Sequence, residues 1–169
     1  MSRKLNHFDA AGKAHMVDVG DKPLTRRTAV AVGFVKLLSE TAELIEAGTA
    51  KKGDVLGTAR LAGIMACKQT PTLIPLCHVI PIDSVNIEFS MGQSEGEHCQ
   101  LEIKCSVRST GNTGVEMEAL TGVSIAALTV YDMCKSVDRE MEILGVKLVS
   151  KTGGASGEFQ RTTENKDGS

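Results

Sequence analysis

The chain has 169 residues, a formal net charge of −2, 24% charged and 41% hydrophobic residues, and only 3% aromatics with no Trp. A near-neutral chain without blocks of like charge argues against nucleic acid or a membrane surface as partner, and no apolar run is long enough to span a bilayer. Five Cys, odd in number and without C-x-x-C spacing, argue against a disulfide framework and a zinc site, and point to free thiols in a reducing compartment.

The length fits one domain over 1–169, with about 1–9 and 160–169 polar enough to fray. The opening Met1–Asn6 has no apolar signal core, so the cytoplasm is the expected location. His15–Val19 alternates and predicts a short strand, followed by an Asp21-Lys22-Pro23 turn and a second strand over Thr25–Val32. Ser39 with Glu43 opens a helix over Glu40–Ala47 that Gly48 closes. Asp54 is a good N-cap for a helix through Ala66, and Pro71 and Pro75 predict an irregular segment after it. Val85–Phe89 and Leu101–Arg108 alternate and form a hairpin around a polar, Gly-containing tip. A long helix is expected over about Met117–Glu140 and a last strand over Glu142–Val149. Mixed helices and antiparallel strands give an α+β class, with the helices packed on one face of the sheet.

The long helix carries no charge between Ala119 and Val130, as in a helix buried in a core or at a subunit interface. Its next turn brings Asp132 and Lys135 onto one face. Two readings stand: an ordinary buried ion pair, or a general acid/base pair lining a cleft. Glu116 and Glu118, flanking Met117, suit the positive end of the helix dipole, or bind the donor edge of a guanine-like ring. In the Pro75–His78 loop, His78 is either a packed ring or a phosphate and proton ligand, and Cys77 either filler or pocket lining. Lys51-Lys52 before a helix N-terminus is a solvated turn or an anion site, and Arg26-Arg27 is exposed or forks onto a phosphate. Lys151–Gly157 is a Gly-rich loop without P-loop order. Several cations, two or three carboxylates and one His suit an acid/base enzyme with a polyanionic substrate. No carboxylate cluster demands a protein-bound metal, although Mg²⁺ could accompany phosphates.

His15–Val19, Lys52–Val55, Leu76-Cys77-His78, Thr113–Thr121, Tyr131–Lys135 and Gly153–Phe159 resemble, in order, the signature segments of the MoaC family. The likeness covers about Phe8–Phe159. It implies a ferredoxin-like fold and a lyase-type enzyme of molybdenum cofactor biosynthesis. Such an enzyme converts 3′,8-cyclo-7,8-dihydroguanosine 5′-triphosphate into cyclic pyranopterin monophosphate and releases pyrophosphate. It implies a homohexamer, a trimer of dimers with sites at dimer interfaces. Its catalytic set maps onto Asp132, Lys135 and Lys52, and its substrate-binding set onto Leu76, Cys77, His78, Glu116, Met117, Glu118 and Arg27. A lysine base would need its pKa depressed by a buried cationic pocket. Two rival readings are a non-catalytic nucleotide- or pterin-binding oligomer and a scaffold assembling through the apolar helix.

Overall fold

Strand β1 (Thr25–Leu38) is the element on which the others are laid. Its alternation buries Ala29, Ala31, Val35 and Leu37 on one face and leaves Phe34 and Lys36 partly exposed on the other. The computed structural model describes residues 12–50, 53–94, 96–155 and 157–162. After β1 come α1 (Ser39–Glu46) and α2 (Val55–Leu73), the hairpin β2 (Ser84–Met91) and β3 (His98–Gly111), then α3 (Glu116–Cys134), β4 (Glu142–Thr152) and the short β5 (Phe159–Gln160).

The sheet runs in the order β2-β3-β1-β4-β5 with every pair antiparallel. This is the β-α-β-β-α-β pattern of a ferredoxin-like fold, with α1 and β5 as additions. α3 lies across β1, β3 and β4, and α2 lies beside it against β2. With few aromatics to hand, the core between them is built from Val, Ile, Leu, Ala and Cys: Val35, Leu37, Ile87, Leu101, Ile103, Val107, Val123 and Val130 are all buried. The opposite sheet face carries the Lys36–Glu142 and Lys104–Glu88 ion pairs and faces water.

Four local expectations are corrected. His15–Val19 forms no strand, and only Ala14 nearby makes an isolated bridge. Side chains hold this segment instead: His78 Nε2 meets the Val17 carbonyl at 2.7 Å and Asn112 Nδ2 donates to the Val19 carbonyl at 3.1 Å. Pro71 does not end α2, which continues to Leu73. In the last turn a proline costs the helix a single bond, and the chain leaves at Ile74 anyway. Ser39 does not cap α1, because its Oγ is buried without a partner. Finally, α3 stops at Cys134, six residues before the expected end. The buried Asp138 explains the stop: its carboxylate accepts from Leu38 N at 2.8 Å and Glu140 N at 3.2 Å, which requires a turn there. Asp54 caps α2 as expected, accepting from Gly57 N at 2.8 Å. At the C-terminal end Gln160 pairs with Ser150, and Arg161 N donates to the Val149 carbonyl. The expected frayed stretches otherwise fall largely outside the described residues.

Candidate active site

A two-lobed cleft opens where α3 begins. Each lobe holds about 400 Å³, and Lys22, Thr113, Gly114 and Glu116 line both. One lobe is cationic: Lys22, Arg27 and Lys151 surround it, with Gly153 at its edge. The other is lined by Leu76, Cys77, His78, Met117 and Glu118. Seven of the ten predicted site residues therefore meet in one place, brought together from β1, the loop after α2 and the first turn of α3. A larger hollow of about 620 Å³ beside the hairpin tip, lined by Lys36, His98 and Gln100, contains none of them.

Arg27 is buried, 8% exposed, and much of its donor capacity is committed. Its Nε donates to the Gly111 carbonyl at 2.8 Å and its Nη2 to the Asn112 carbonyl at 3.0 Å. It thus fixes the β3–α3 loop. The Gly153-Gly154 turn, both residues at positive φ, lies against it so closely that a Cβ at Gly154 would strike the guanidinium. This lobe needs residues that spacing did not single out. Lys22 sat in an ordinary Asp-Lys-Pro turn, and Lys151 was visible only as the start of a Gly-rich loop.

In the second lobe, His78 must carry its proton on Nε2 to donate to the Val17 carbonyl, since a carbonyl only accepts. Its Nδ1 is then the nitrogen left for a ligand. Burial, together with the Glu118 carboxylate, pushes the Cys77 thiol up, so it remains a neutral lining group. Glu118 is 3% exposed. Burial raises its carboxyl to about 7, opposed by its own backbone N–H and reinforced by the negative charge of Glu116. The helix dipole at the first turn is outweighed by desolvation. Glu118 can therefore gain or lose a proton near neutrality. Glu116 is held differently: its Oε1 lies 2.8 Å from Lys151 Nζ, each side chain 26% exposed.

Asp132 and Lys135 are elsewhere. They form a 2.6 Å ion pair at the far end of α3, with side chains 59% and 53% exposed, so the expectation of a buried pair is corrected. Only the apolar stretch before them is buried on the core side. The hydrogen bond to Asp132 raises the Lys135 pKa, the reverse of the depression a lysine base requires. Lys52 lies outside the described residues. Ala50, two positions before it, lines a small apolar cavity with Met133, Cys134 and Val137. Among the described residues no group of His, Cys, Asp or Glu could hold a metal ion, and no helix is long and apolar enough to cross a membrane.

A model of the MoaC family matches residues 16–154. The chain is 54% identical over 160 residues to the cyclic pyranopterin monophosphate synthase of Pelotomaculum thermopropionicum, covering 95% of this chain and 92% of that protein. It is 54% identical over 158 residues to the protein of the same name from Chloroflexus aggregans, covering 94% of each. The protein of that name from Cereibacter sphaeroides is 53% identical over 156 residues, covering 92% of this chain and 96% of the relative.

Proposed function

The chain belongs to the MoaC family, and from that premise we propose that it acts as its relatives are named, as a cyclic pyranopterin monophosphate synthase of molybdenum cofactor biosynthesis. The substrate in this reading is 3′,8-cyclo-7,8-dihydroguanosine 5′-triphosphate. The single observation that carries it is the two-lobed cleft: a cationic lobe sized for phosphates, joined through Glu116 to a lobe with two carboxylates and a histidine for a purine-derived ring.

The triphosphate lies with Lys22 and Lys151, where Arg27 holds the loop that closes the lobe. The ring lies against Leu76, Cys77, Met117 and Glu118, with Glu116 and Glu118 accepting from its donor edge. His78, with Nε2 committed to the Val17 carbonyl, offers Nδ1 to the substrate from the ring lobe. Proton transfers rearrange the ring, an internal hydroxyl attacks phosphorus, and pyrophosphate leaves as its charge is met by the cationic lobe.

The acid/base groups are Asp132, Lys135 and Lys52, supplied by a second copy of the chain. Glu116 and Asp132 stand sixteen positions apart on α3, which at about 1.5 Å per residue is roughly 24 Å. One chain cannot bring both to one substrate. A two-fold interface that sets the start of one α3 near the end of the other completes two sites at once. There the exposed Asp132–Lys135 pair is desolvated over a cationic lobe, which lowers the lysine toward a working base. A homohexamer of three such dimers in the cytoplasm, with Mg²⁺ arriving on the phosphates, is part of the same reading.

The test is turnover. Purified protein is given the cyclised dihydroguanosine triphosphate, and pyrophosphate is assayed beside the cyclic pyranopterin product. Equal yields of both are expected, with Lys52→Ala and Lys135→Ala each falling at least about 100-fold while melting normally. Binding without either product would leave the non-catalytic pterin-binding oligomer as the reading.

A further inference from the structure

The Glu116–Lys151 ion pair joins side chains from two elements at the boundary between the lobes of the cleft. Lys151 reaches in from β4 and lines the cationic lobe. Glu116 opens α3 and lines both lobes. Both side chains are about three-quarters buried, and their atoms approach to 2.8 Å. The Glu116 carboxylate is folded so closely over Gly114 that a Cβ there would strike it. Held this way, Glu116 faces Lys151 rather than a ring in the neighbouring lobe.

We propose that this ion pair is a latch between the lobes: a polyphosphate in the cationic lobe takes Lys151, releases Glu116 to accept from a ring in the other lobe, and so makes the two fragments bind cooperatively. The inference rests on the two-lobed reading of the cleft given above. Two effects drive the release. The phosphate competes for the lysine with more charge and more acceptor atoms than one carboxylate. It also repels Glu116, whose alternative is a set of ring N–H donors. With no phosphate bound, Glu116 remains paired with Lys151, and a neutral nucleoside must break that pair at its own cost. Lys151 then decides specificity without touching the ring: a nucleoside lacking its phosphates is held poorly, although its ring contacts are all available. By linkage the effect is reciprocal, so the ring must tighten phosphate by the same factor.

The probes are guanosine for the ring and inorganic pyrophosphate for the phosphates, titrated calorimetrically into the intact protein. Saturating pyrophosphate is expected to tighten guanosine about fivefold, the range expected for breaking one part-buried pair. Lys151→Met should bind guanosine at the tighter value with or without pyrophosphate. Glu116→Gln, which breaks the pair from the other side, should also lose the dependence, so misfolding of one variant leaves the other as the test. Guanosine binding that ignores pyrophosphate in the wild-type protein, or no guanosine binding in either condition, overturns the latch. Turnover of the full substrate by the same preparation separates the two ideas: turnover without coupling removes the latch alone, whereas absence of turnover removes the proposed function.

Discussion

Glu116 and Asp132 occupy the two ends of one helix, and α3 holds them about 24 Å apart. The groups suited to binding gather at the first end, with His78 and Glu118. The groups suited to acid/base work gather at the second, where Asp132 and Lys135 are paired in the open. A catalytic cycle that needs both ends needs two chains.

That separation predicts subunit complementation. A His78→Ala chain and a Lys135→Ala chain should each be inactive alone. Mixed and allowed to exchange subunits, they should recover roughly a quarter of wild-type turnover, since half the dimers are mixed and each has one intact site. A mixture that exchanges subunits, followed by mass spectrometry, yet stays inactive would place the whole site within one chain.

Much of this was legible in the sequence, and the failures have physical causes. Alternation in Val85–Phe89 and Leu101–Arg108 exposed the hairpin, because one face of each strand is buried and the other wet. The apolar run in α3 was legible as a packed helix, but not its end, which is set by hydrogen bonds from Leu38, a hundred positions earlier, to Asp138. Glu116, Glu118 and His78 could be named as candidates, but their meeting with Lys22 and Lys151 depends on strand order, which has no local signature. Burial of Arg27 was hidden for the same reason: its partners Gly111 and Asn112 lie more than eighty positions away.

Glu118 sets a pH dependence of stability. The folded chain holds this proton up to about pH 7, whereas an unfolded chain releases it near the ordinary 4.5. Stability from this group is therefore full below about 4.5, falls as pH rises toward about 7, and does not return above it. The rise from 4.5 to about 7 makes the loss on the order of 3 kcal/mol. Urea melts of the wild type and Glu118→Gln at about pH 5 and about pH 8 should differ in slope with pH, the variant gaining relative stability at the higher value. Parallel pH profiles would mean that Glu118 is ionised throughout.

Arg27 is expected to act first on structure. Arg27→Ala removes the donors to the Gly111 and Asn112 carbonyls and should cost about 2–4 kcal/mol in urea melts. Arg27→Lys should recover little of it, because a single ammonium cannot reproduce the fork that spans two carbonyls. Raised KM for the substrate should accompany the lost stability, since the loop lining both lobes is no longer fixed. A variant with normal melting and raised KM would instead make Arg27 a direct phosphate ligand.

Gly122 tests how tightly α3 is set into the core. Glycine within a helix normally costs about 1 kcal/mol relative to alanine, so propensity alone says that Gly122→Ala should stabilise. The packing says the reverse. A Cβ there would lie 2.6 Å from Cys67 Sγ and 2.8 Å from Cys105 Sγ, two buried sulfurs that are themselves 3.8 Å apart. Neither can withdraw easily, because Cys67 also donates to the Glu118 carbonyl at 3.2 Å. Overpacking of this kind costs about 1–3 kcal/mol, more than the propensity gain. Gly122→Ala should therefore lower stability in urea melts, and adding Cys105→Ala should relieve part of the loss by removing one of the two sulfurs. Because the strain passes through the Glu118 carbonyl, the single variant should also weaken ring binding, which a purely local packing defect would leave unchanged.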